Sequence, residues 1–180
     1  VMSFCSKKIT KMKRILFTGK QLRVRRRETI LNPPQGIKFI PQQKLSEMKE
    51  DYLLSNQKKK NTYFQKIRGA IQYGNIIPKK FLKDIELIYS PGKLILNKFP
   101  HVIELDNLGA LTYYNLNALF FLKPLIRWRL ESNQCKGIIC LSKACEKSIK
   151  EFFRSEKINQ KTTTIYPYAK EHKNKHVVNK

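Results

Sequence analysis

The chain has 180 residues, of which 41% are hydrophobic and 11% aromatic, so it can bury one well-formed core and is not a disordered segment. It carries 37 Lys and Arg against 13 Asp and Glu, a formal net charge of +24. Such a surface attracts phosphates, anionic lipid or nucleic acid, and charge alone does not choose among them. General enrichment in Lys, Ile and Asn, typical of proteins from AT-rich genomes, is an alternative explanation of the excess.

The apolar runs in the sequence are too short for a membrane-spanning helix. The strongest of them, residues 118–122, is cut off by Lys123 and Pro124, whereas a span needs about 18 residues. The amino end lacks the long apolar core of a signal peptide. We therefore predict a cytoplasmic protein, and the basic surface leaves peripheral attachment to the inner face of the membrane open.

In chain order, a basic extension over residues 1–12 precedes a first predicted strand over residues 13–18, which meets a turn at Gly19. A second strand follows over residues 36–41. Residues 44–83 then carry helical spacing in pieces that a charged link separates.

From residue 85 onwards, strands and helices alternate regularly. The predicted elements are strand 85–90, strand 101–106, a helix about 115–133 broken near Pro124, strand 137–141, helix 143–153 and strand 162–166. Such alternation predicts a Rossmann-like, three-layer α/β/α domain with a mostly parallel sheet over residues 13–170. Residues 171–180 are then a tail or the start of a linker.

Polar side chains follow several of these strands, where an open α/β sheet binds its ligands. Asp106 is the preferred candidate, as a general base toward a hydroxyl group, and a carboxylate that caps the following turn is the alternative. Glu104 lies two residues earlier on the same strand face, and a structural role is favoured for it. Asn107 supports the turn that follows, at the same edge.

Two further strand ends contribute candidates. The run Thr18, Gly19 and Lys20 allows close backbone approach and offers an amine to a phosphate, or it is an ordinary tight turn, since no complete dinucleotide or phosphate-loop motif is present. Ser142 fits best as the N-cap of the following helix and is also a candidate for lining the cleft.

An arginine cluster has the residue type that binds phosphates in bidentate geometry, with a solvated loop as the alternative: Arg23, Arg25, Arg26 and Arg27. His101, inside a predicted strand, is expected to be a packed imidazole. Three cysteines recur every five residues without zinc-ligand spacing, so we predict buried free thiols and no metal site: Cys135, Cys140 and Cys145.

Four segments resemble, in order and spacing, the amino-terminal half of family 4, or group 1, glycosyltransferases. They are residues 84–91, 99–106, 135–143 and 163–167. The likeness is good over residues 84–167 and weak over residues 13–83. It implies one half of the GT-B architecture, in which two Rossmann-like domains face a cleft. The first domain binds the acceptor, and the second binds a nucleotide-sugar donor.

Carried onto this sequence, the resemblance places Asp106 and Asn107 where the family usually has an acidic residue and a His near the acceptor; the His is missing here. Thr18 to Lys20 match the family's first glycine-containing loop, and Ser142 matches a Ser at a later strand end. No two glutamates show the Glu-x7-Glu spacing of the donor domain. We therefore expect weak or no sugar transfer by this chain alone, and a donor-binding domain in cis or on a separate chain as its partner.

The implied reaction is hexosyl transfer from a nucleotide-sugar donor to an acceptor hydroxyl. The acceptor is a saccharide or a lipid-linked molecule, and an anionic membrane surface is a further expected partner. No cofactor is expected in this chain itself. The alternatives are a basic nucleic-acid-binding module and a non-catalytic scaffold half of a split glycosyltransferase.

Overall fold

The computed structural model describes residues 12–18, 30–41 and 76–167. Within these ranges six strands form one sheet, and every neighbouring pair is parallel. The strands are β1 (Lys13–Phe17), β2 (Ile37–Pro41), β3 (Leu87–Pro91), β4 (His101–Leu105), β5 (Cys135–Cys140) and β6 (Thr162–Thr164). Their order across the sheet is β2-β1-β3-β4-β5-β6. The predicted Rossmann-like α/β fold is confirmed.

The strand order reverses at β1. The chain passes from β1 to β2 on one side and returns to β3 on the other side of β1. Phe17 is in register with Tyr89, and the N–H of Thr18 donates to the Tyr89 carbonyl at 3.0 Å. Open α/β sheets bind ligands outside the carboxyl ends of their strands at such a reversal.

Four α-helices follow β4 and β5. They are α1 (Leu116–Phe121), α2 (Lys123–Glu131), α3 (Lys143–Phe153) and α4 (Glu156–Lys161). Short 3-10 helices occupy Lys79–Phe81 and Leu108–Thr112. The first of these falls at the end of the helical region predicted over residues 44–83. Helix α4 and the second 3-10 helix were not predicted.

The helix predicted over residues 115–133 is divided in two, at the predicted place. Leu122 at the junction has φ −91° and ψ 4°, outside helical geometry, and Pro124 lies in the first turn of α2. Pro has no N–H to donate to the preceding turn, and the start of a helix is where that loss is tolerated. At the other end of α2, the Lys161 ammonium donates to the carbonyls of Leu130, Glu131 and the C-cap Ser132 at 2.8–3.2 Å, a favourable place for a cation.

The helices pack against one face of the sheet. Residues alternate along a strand, so one set of strand side chains lies on that face. Its two members from β1 and β3 pack against Ile85 and Ile95, which lie outside the helices. The whole set is fully buried: Leu16, Ile88, Ile103, Leu105 and Ile138. The last three share a cluster with Leu130 of α2 and Ile149 of α3. Burial of each such side chain contributes about 1.5–3 kcal/mol before the entropy cost of folding, so this layer stabilises the domain most.

The opposite face carries an aromatic cluster near the sheet's reversal. The ring of Phe17 stacks on that of Tyr89 with centroids 5.5 Å apart. Phe39 meets both rings edge-on, at 6.1 and 6.2 Å. Strands β2, β1 and β3 are therefore joined through side chains as well as through their backbone hydrogen bonds.

Several predicted features lie outside the described residues. They are nearly all of the extension 1–12, most of the helical region 44–83, Gly19 and Lys20, the four arginines and the tail 171–180. Elsewhere the predicted strand bounds agree with the structure to within two residues. In the part of the chain that the structure describes, no helix has both the length and the apolar character needed to cross a membrane.

Candidate functional site

All strands of a parallel sheet end at the same edge, and here polar residues lie at or near the ends of four of them. Thr18 follows β1, Asp106 and Asn107 follow β4, and Ser142 follows β5 closely, while Ser90 is the penultimate residue of β3. Neighbouring strands are about 4.8 Å apart, so Thr18 and Ser142, three strands apart, are separated by about 14 Å. The predicted residues within the described ranges therefore share one edge, though they do not meet at one point.

Thr18 lies at the reversal of strand order and is 3% exposed. Its hydroxyl donates to the Ser90 hydroxyl at 3.1 Å, and Ser90 in turn donates to the carbonyl of Lys93 at 2.8 Å. This relay joins the ends of β1 and β3. The Thr18 side chain therefore has a structural role, since it links the ends of two neighbouring strands. The next two residues, Gly19 and Lys20, are outside the described residues.

Glu104 is buried within β4, at 7% exposure. Its carboxylate accepts a hydrogen bond from the Tyr89 hydroxyl at 2.5 Å, across the face that carries the aromatic cluster. Its carbonyl accepts from the N–H of Gly92 at 2.7 Å, which continues the parallel pairing of β3 with β4 to the end of β3. The side chain thus has a structural partner, in keeping with the structural role favoured for it.

Asp106 is the first residue after β4 and is partly exposed. Its carboxylate accepts hydrogen bonds from the Asn107 N–H at 2.9 Å and from the Tyr114 hydroxyl at 3.1 Å. Both donors hold the carboxylate group at the strand end while part of it faces solvent. A carboxylate held this way can accept further hydrogen bonds from the hydroxyl groups of a ligand.

Asp106 also lies close to the first turn of α3. A hydrogen bond with Cys140 lowers the pKa of the Cys145 thiol, and burial and the negative charge of Asp106 oppose that shift. Cys145 also donates to the Leu105 carbonyl at 3.6 Å, so it packs directly beneath the end of β4.

The loop after Asp106 is held by Asn107 and has a strained backbone. The Asn107 side chain accepts from the Ala110 N–H at 3.2 Å and so caps the 3-10 helix. Tyr113 and Tyr114 then have φ values of 53° and 64°, in the left-handed region that L-residues avoid. Such residues cost about 1–3 kcal/mol each and cluster at functional sites, where the strain positions a side chain.

That strained turn brings Tyr114 back to Asp106. The Tyr114 N–H donates to the Gly109 carbonyl at 2.8 Å, and a Cβ at position 109 would lie 3.2 Å from the Asn107 side-chain oxygen. A side chain at position 109 would therefore crowd the Asn107 side chain, which would have to shift by a few tenths of an ångström. The two tyrosines were missed by the sequence analysis. Only Asn107, predicted to support a turn, pointed to a tight loop, and no local sequence signal specifies left-handed backbone at a tyrosine.

Ser142 is the N-cap of α3, as predicted. Its hydroxyl accepts from the Cys145 N–H at 3.1 Å. One turn further, Glu146 accepts hydrogen bonds from Lys143 at 2.8 Å, from Lys150 at 2.7 Å and from Thr164 of β6. These bonds lower the pKa of Glu146 to about 2, so at neutral pH it is an ionised group that ties α3 to the end of β6.

The three cysteines are free and buried, as predicted. A hydrogen bond with Cys145 and burial both raise the pKa of the Cys140 thiol, and burial raises that of Cys135. The thiols of Cys140 and Cys135 are therefore held in their neutral form. Within residues 12–18, 30–41 and 76–167, no group of three His, Cys, Asp or Glu side chains could hold a metal ion.

These features define a Rossmann-like α/β domain with a carboxylate and an exposed tyrosine at the carboxyl edge of its sheet. Comparisons with protein-family models, with curated proteins and with solved structures found no match for this chain.

Proposed function

We propose that this domain binds the acceptor of a sugar-transfer reaction at the carboxyl edge of its sheet. The observation that carries the proposal is the position of Asp106, a partly exposed residue whose carboxylate is held at the end of β4 by the Asn107 N–H and the Tyr114 hydroxyl. Sugar hydroxyls are good donors to such a carboxylate, and the face of a tyrosine ring packs well against the apolar face of a sugar. Tyr114 is 60% exposed and so is available for that contact.

In the proposed reaction an acceptor hydroxyl attacks the anomeric carbon of a nucleotide-sugar donor. A bond forms between the hydroxyl oxygen and that carbon, and the bond from the carbon to the phosphate oxygen breaks, so that nucleotide diphosphate leaves. Asp106 orients the hydroxyl and accepts its proton. Orientation and neutralisation of the leaving phosphates would supply most of the rate, the latter from a donor-binding domain.

Saccharide binding to the chain tests the proposal. We expect saturation-transfer NMR with a panel of methyl hexosides and disaccharides to detect at least one weak ligand. Its dissociation constant should rise at least tenfold in Asp106→Asn, because an amide replaces one acceptor oxygen with a donor.

Asp84→Asn is the matched control. Asp84 is an exposed residue that precedes β3, so it lies at the amino end of the strands, away from the carboxyl edge. Its carboxylate is 3.4 Å from the Arg14 guanidinium. The same chemical change there should leave saccharide binding unaltered. Equal effects of the two variants, or a panel with no ligand, would count against the proposal. Salt-sensitive binding of a short RNA without any saccharide binding would favour the nucleic-acid alternative instead.

A further inference from the structure

Helices α1 and α2 expose four large hydrophobic side chains. Leu116 is 62% exposed, Phe120 67%, Phe121 64% and Trp128 57%. Soluble surfaces expose single apolar residues routinely, but a group of this size within 13 residues marks a contact surface. We refer to these four residues as the aromatic stripe.

The aromatic stripe lies on one side of the two helices, away from the sheet. The buried residues of α1 and α2 continue at helical spacing across the junction at Leu122: Ala118, Leu119, Ile126, Arg129 and Leu130. The four residues of the aromatic stripe alternate with that buried series and are each more than half exposed, so they lie on the outer side of their helices. Leu116 and Phe120 are four residues apart, and Trp128 lies two further helical turns along.

Basic groups accompany the aromatic stripe. Lys123, between Phe121 and Trp128 in the sequence, has its ammonium 4.6 Å from the Phe152 ring centroid, and Phe152 meets the Phe120 ring edge-on. Arg127 is half exposed, and it neutralises Glu131, the one acidic residue of α1 and α2. This surface therefore combines apolar side chains with positive charge, on a chain of net charge +24.

We propose that the aromatic stripe docks the protein onto an anionic phospholipid membrane. Helices that lie in a membrane interface present Trp, Phe and Leu on one side with Lys and Arg beside them, and anionic lipid attracts the basic residues. Charge complementarity selects this occupant: a second copy of the chain would bring a second charge of +24 against the first.

The aromatic stripe also begins beside the candidate site. Tyr114, which donates to Asp106, is two residues before Leu116 and is itself exposed. A membrane docked on α1 and α2 would thus lie next to the carboxyl edge of the sheet. On the proposed function, the acceptor class that this placement favours is a saccharide carried on a lipid.

The chain contains one tryptophan, Trp128, which makes it an internal probe of docking. We expect vesicles of equal phosphatidylglycerol and phosphatidylcholine, at low salt, to shift its emission to shorter wavelength and to protect it from acrylamide. Vesicles of phosphatidylcholine alone should have a much smaller effect, because they lack the negative charge. Bromine-labelled lipid should quench the emission directly.

A pair of double variants gives the matched comparison. Phe120→Ser with Phe121→Ser should lower the vesicle partition coefficient at least tenfold. Leu31→Ser with Ile76→Ser, which removes two similarly exposed hydrophobic residues that precede β2 and β3, should leave it unchanged. All the altered residues are more than half exposed, so equal melting temperatures would show that both variants fold.

Three results would overturn the proposal. One is unchanged partitioning of the Phe120 and Phe121 variant, and another is equal response to charged and uncharged vesicles. The third is a Trp128 shift that grows with protein concentration without vesicles, which would identify a second copy as the occupant. Asp106→Asn should bind vesicles as the wild type does. Failure of the membrane-docking proposal can therefore be distinguished from failure of the sugar-binding proposal.

Discussion

His101 shows how one buried residue sets a pH limit on the fold. The imidazole begins β4 and is fully buried, which confirms the prediction of a packed side chain. Its Nδ1–H donates to the Phe99 carbonyl at 2.9 Å, and Nε2 has no hydrogen-bond partner within the described residues. Burial, together with the charges of Arg129 and Lys161, lowers the pKa of His101 to about 4 despite that hydrogen bond.

We predict that the free energy of unfolding falls as pH drops from about 6.5 to 4, by about 3 kcal/mol from this residue. In that window the unfolded chain binds a proton at His101 and the folded chain does not, so acid favours unfolding. Urea titrations at intervals between pH 7 and pH 4 measure the effect. His101→Asn, which keeps a donor for the Phe99 carbonyl, should flatten this part of the profile. A variant as pH-sensitive as the wild type would contradict the assignment.

Helix α2 is anchored at its carboxyl end by a buried arginine. Arg129 is 1% exposed, and it donates to the carbonyls of Ile95 and Asn97 and to the Ser132 hydroxyl. The bond to Ile95 measures 2.5 Å. The segment between β3 and β4 contains no helix, so its carbonyls need donors from elsewhere, and α2 supplies them.

We predict that Arg129→Met lowers the free energy of unfolding by about 2–4 kcal/mol, because each buried carbonyl left without a donor costs about 1–3 kcal/mol. Arg127→Met is the control on the same helix. Arg127 is half exposed and pairs with Glu131 at 2.8 Å, and an exposed pair contributes at most about 1 kcal/mol. Urea unfolding at pH 7 compares the two variants. Equal losses would show that Arg129 acts only through helix propensity or surface charge.

The sequence predicted best those elements whose formation depends on residues close together in the chain. Strand β4 follows Pro100 and has alternating apolar residues, and α3 follows a capping Ser142, so pattern and cap agree with the structure. Arg129 offered no such cue, since an arginine in a helix is expected at the surface. Its burial depends on carbonyls about 30 residues earlier in the chain, and short-range sequence patterns do not predict contacts at that separation.

At the scale of the whole molecule, alternation predicted a parallel sheet but not the order of its strands. Pairing of β1 with both β2 and β3 is a non-local choice, and it places Thr18 in the relay with Ser90. In the candidate site, too, features that depend on neighbouring residues were predicted, and features without such a local signal were not. Asp106 and Ser142 could be placed at a strand end and a helix start from their neighbours, whereas no neighbouring residue type predicts the left-handed backbone at Tyr113 and Tyr114.

Net charge is the remaining property of the whole molecule, and it acts against the compact state. A charge of +24 repels itself more strongly in the folded chain than in the expanded unfolded chain. Raising NaCl from about 0.01 M to 1 M shortens the screening length from about 30 Å to 3 Å. We predict that the melting temperature rises steadily across this range, because the loss of exposed ion pairs such as Arg14 with Asp84 is smaller than the relief of repulsion.

Thermal unfolding at pH 7 measures this dependence, and the choice of anion separates its two causes. Sodium phosphate at the same ionic strength should give the same melting temperature as NaCl if screening alone acts. A larger rise in phosphate at millimolar concentration would instead reveal a specific anion site, since binding to the folded state adds stability that saturates with ligand. A melting temperature that falls with NaCl would show that attractive charge pairs dominate, contrary to the prediction.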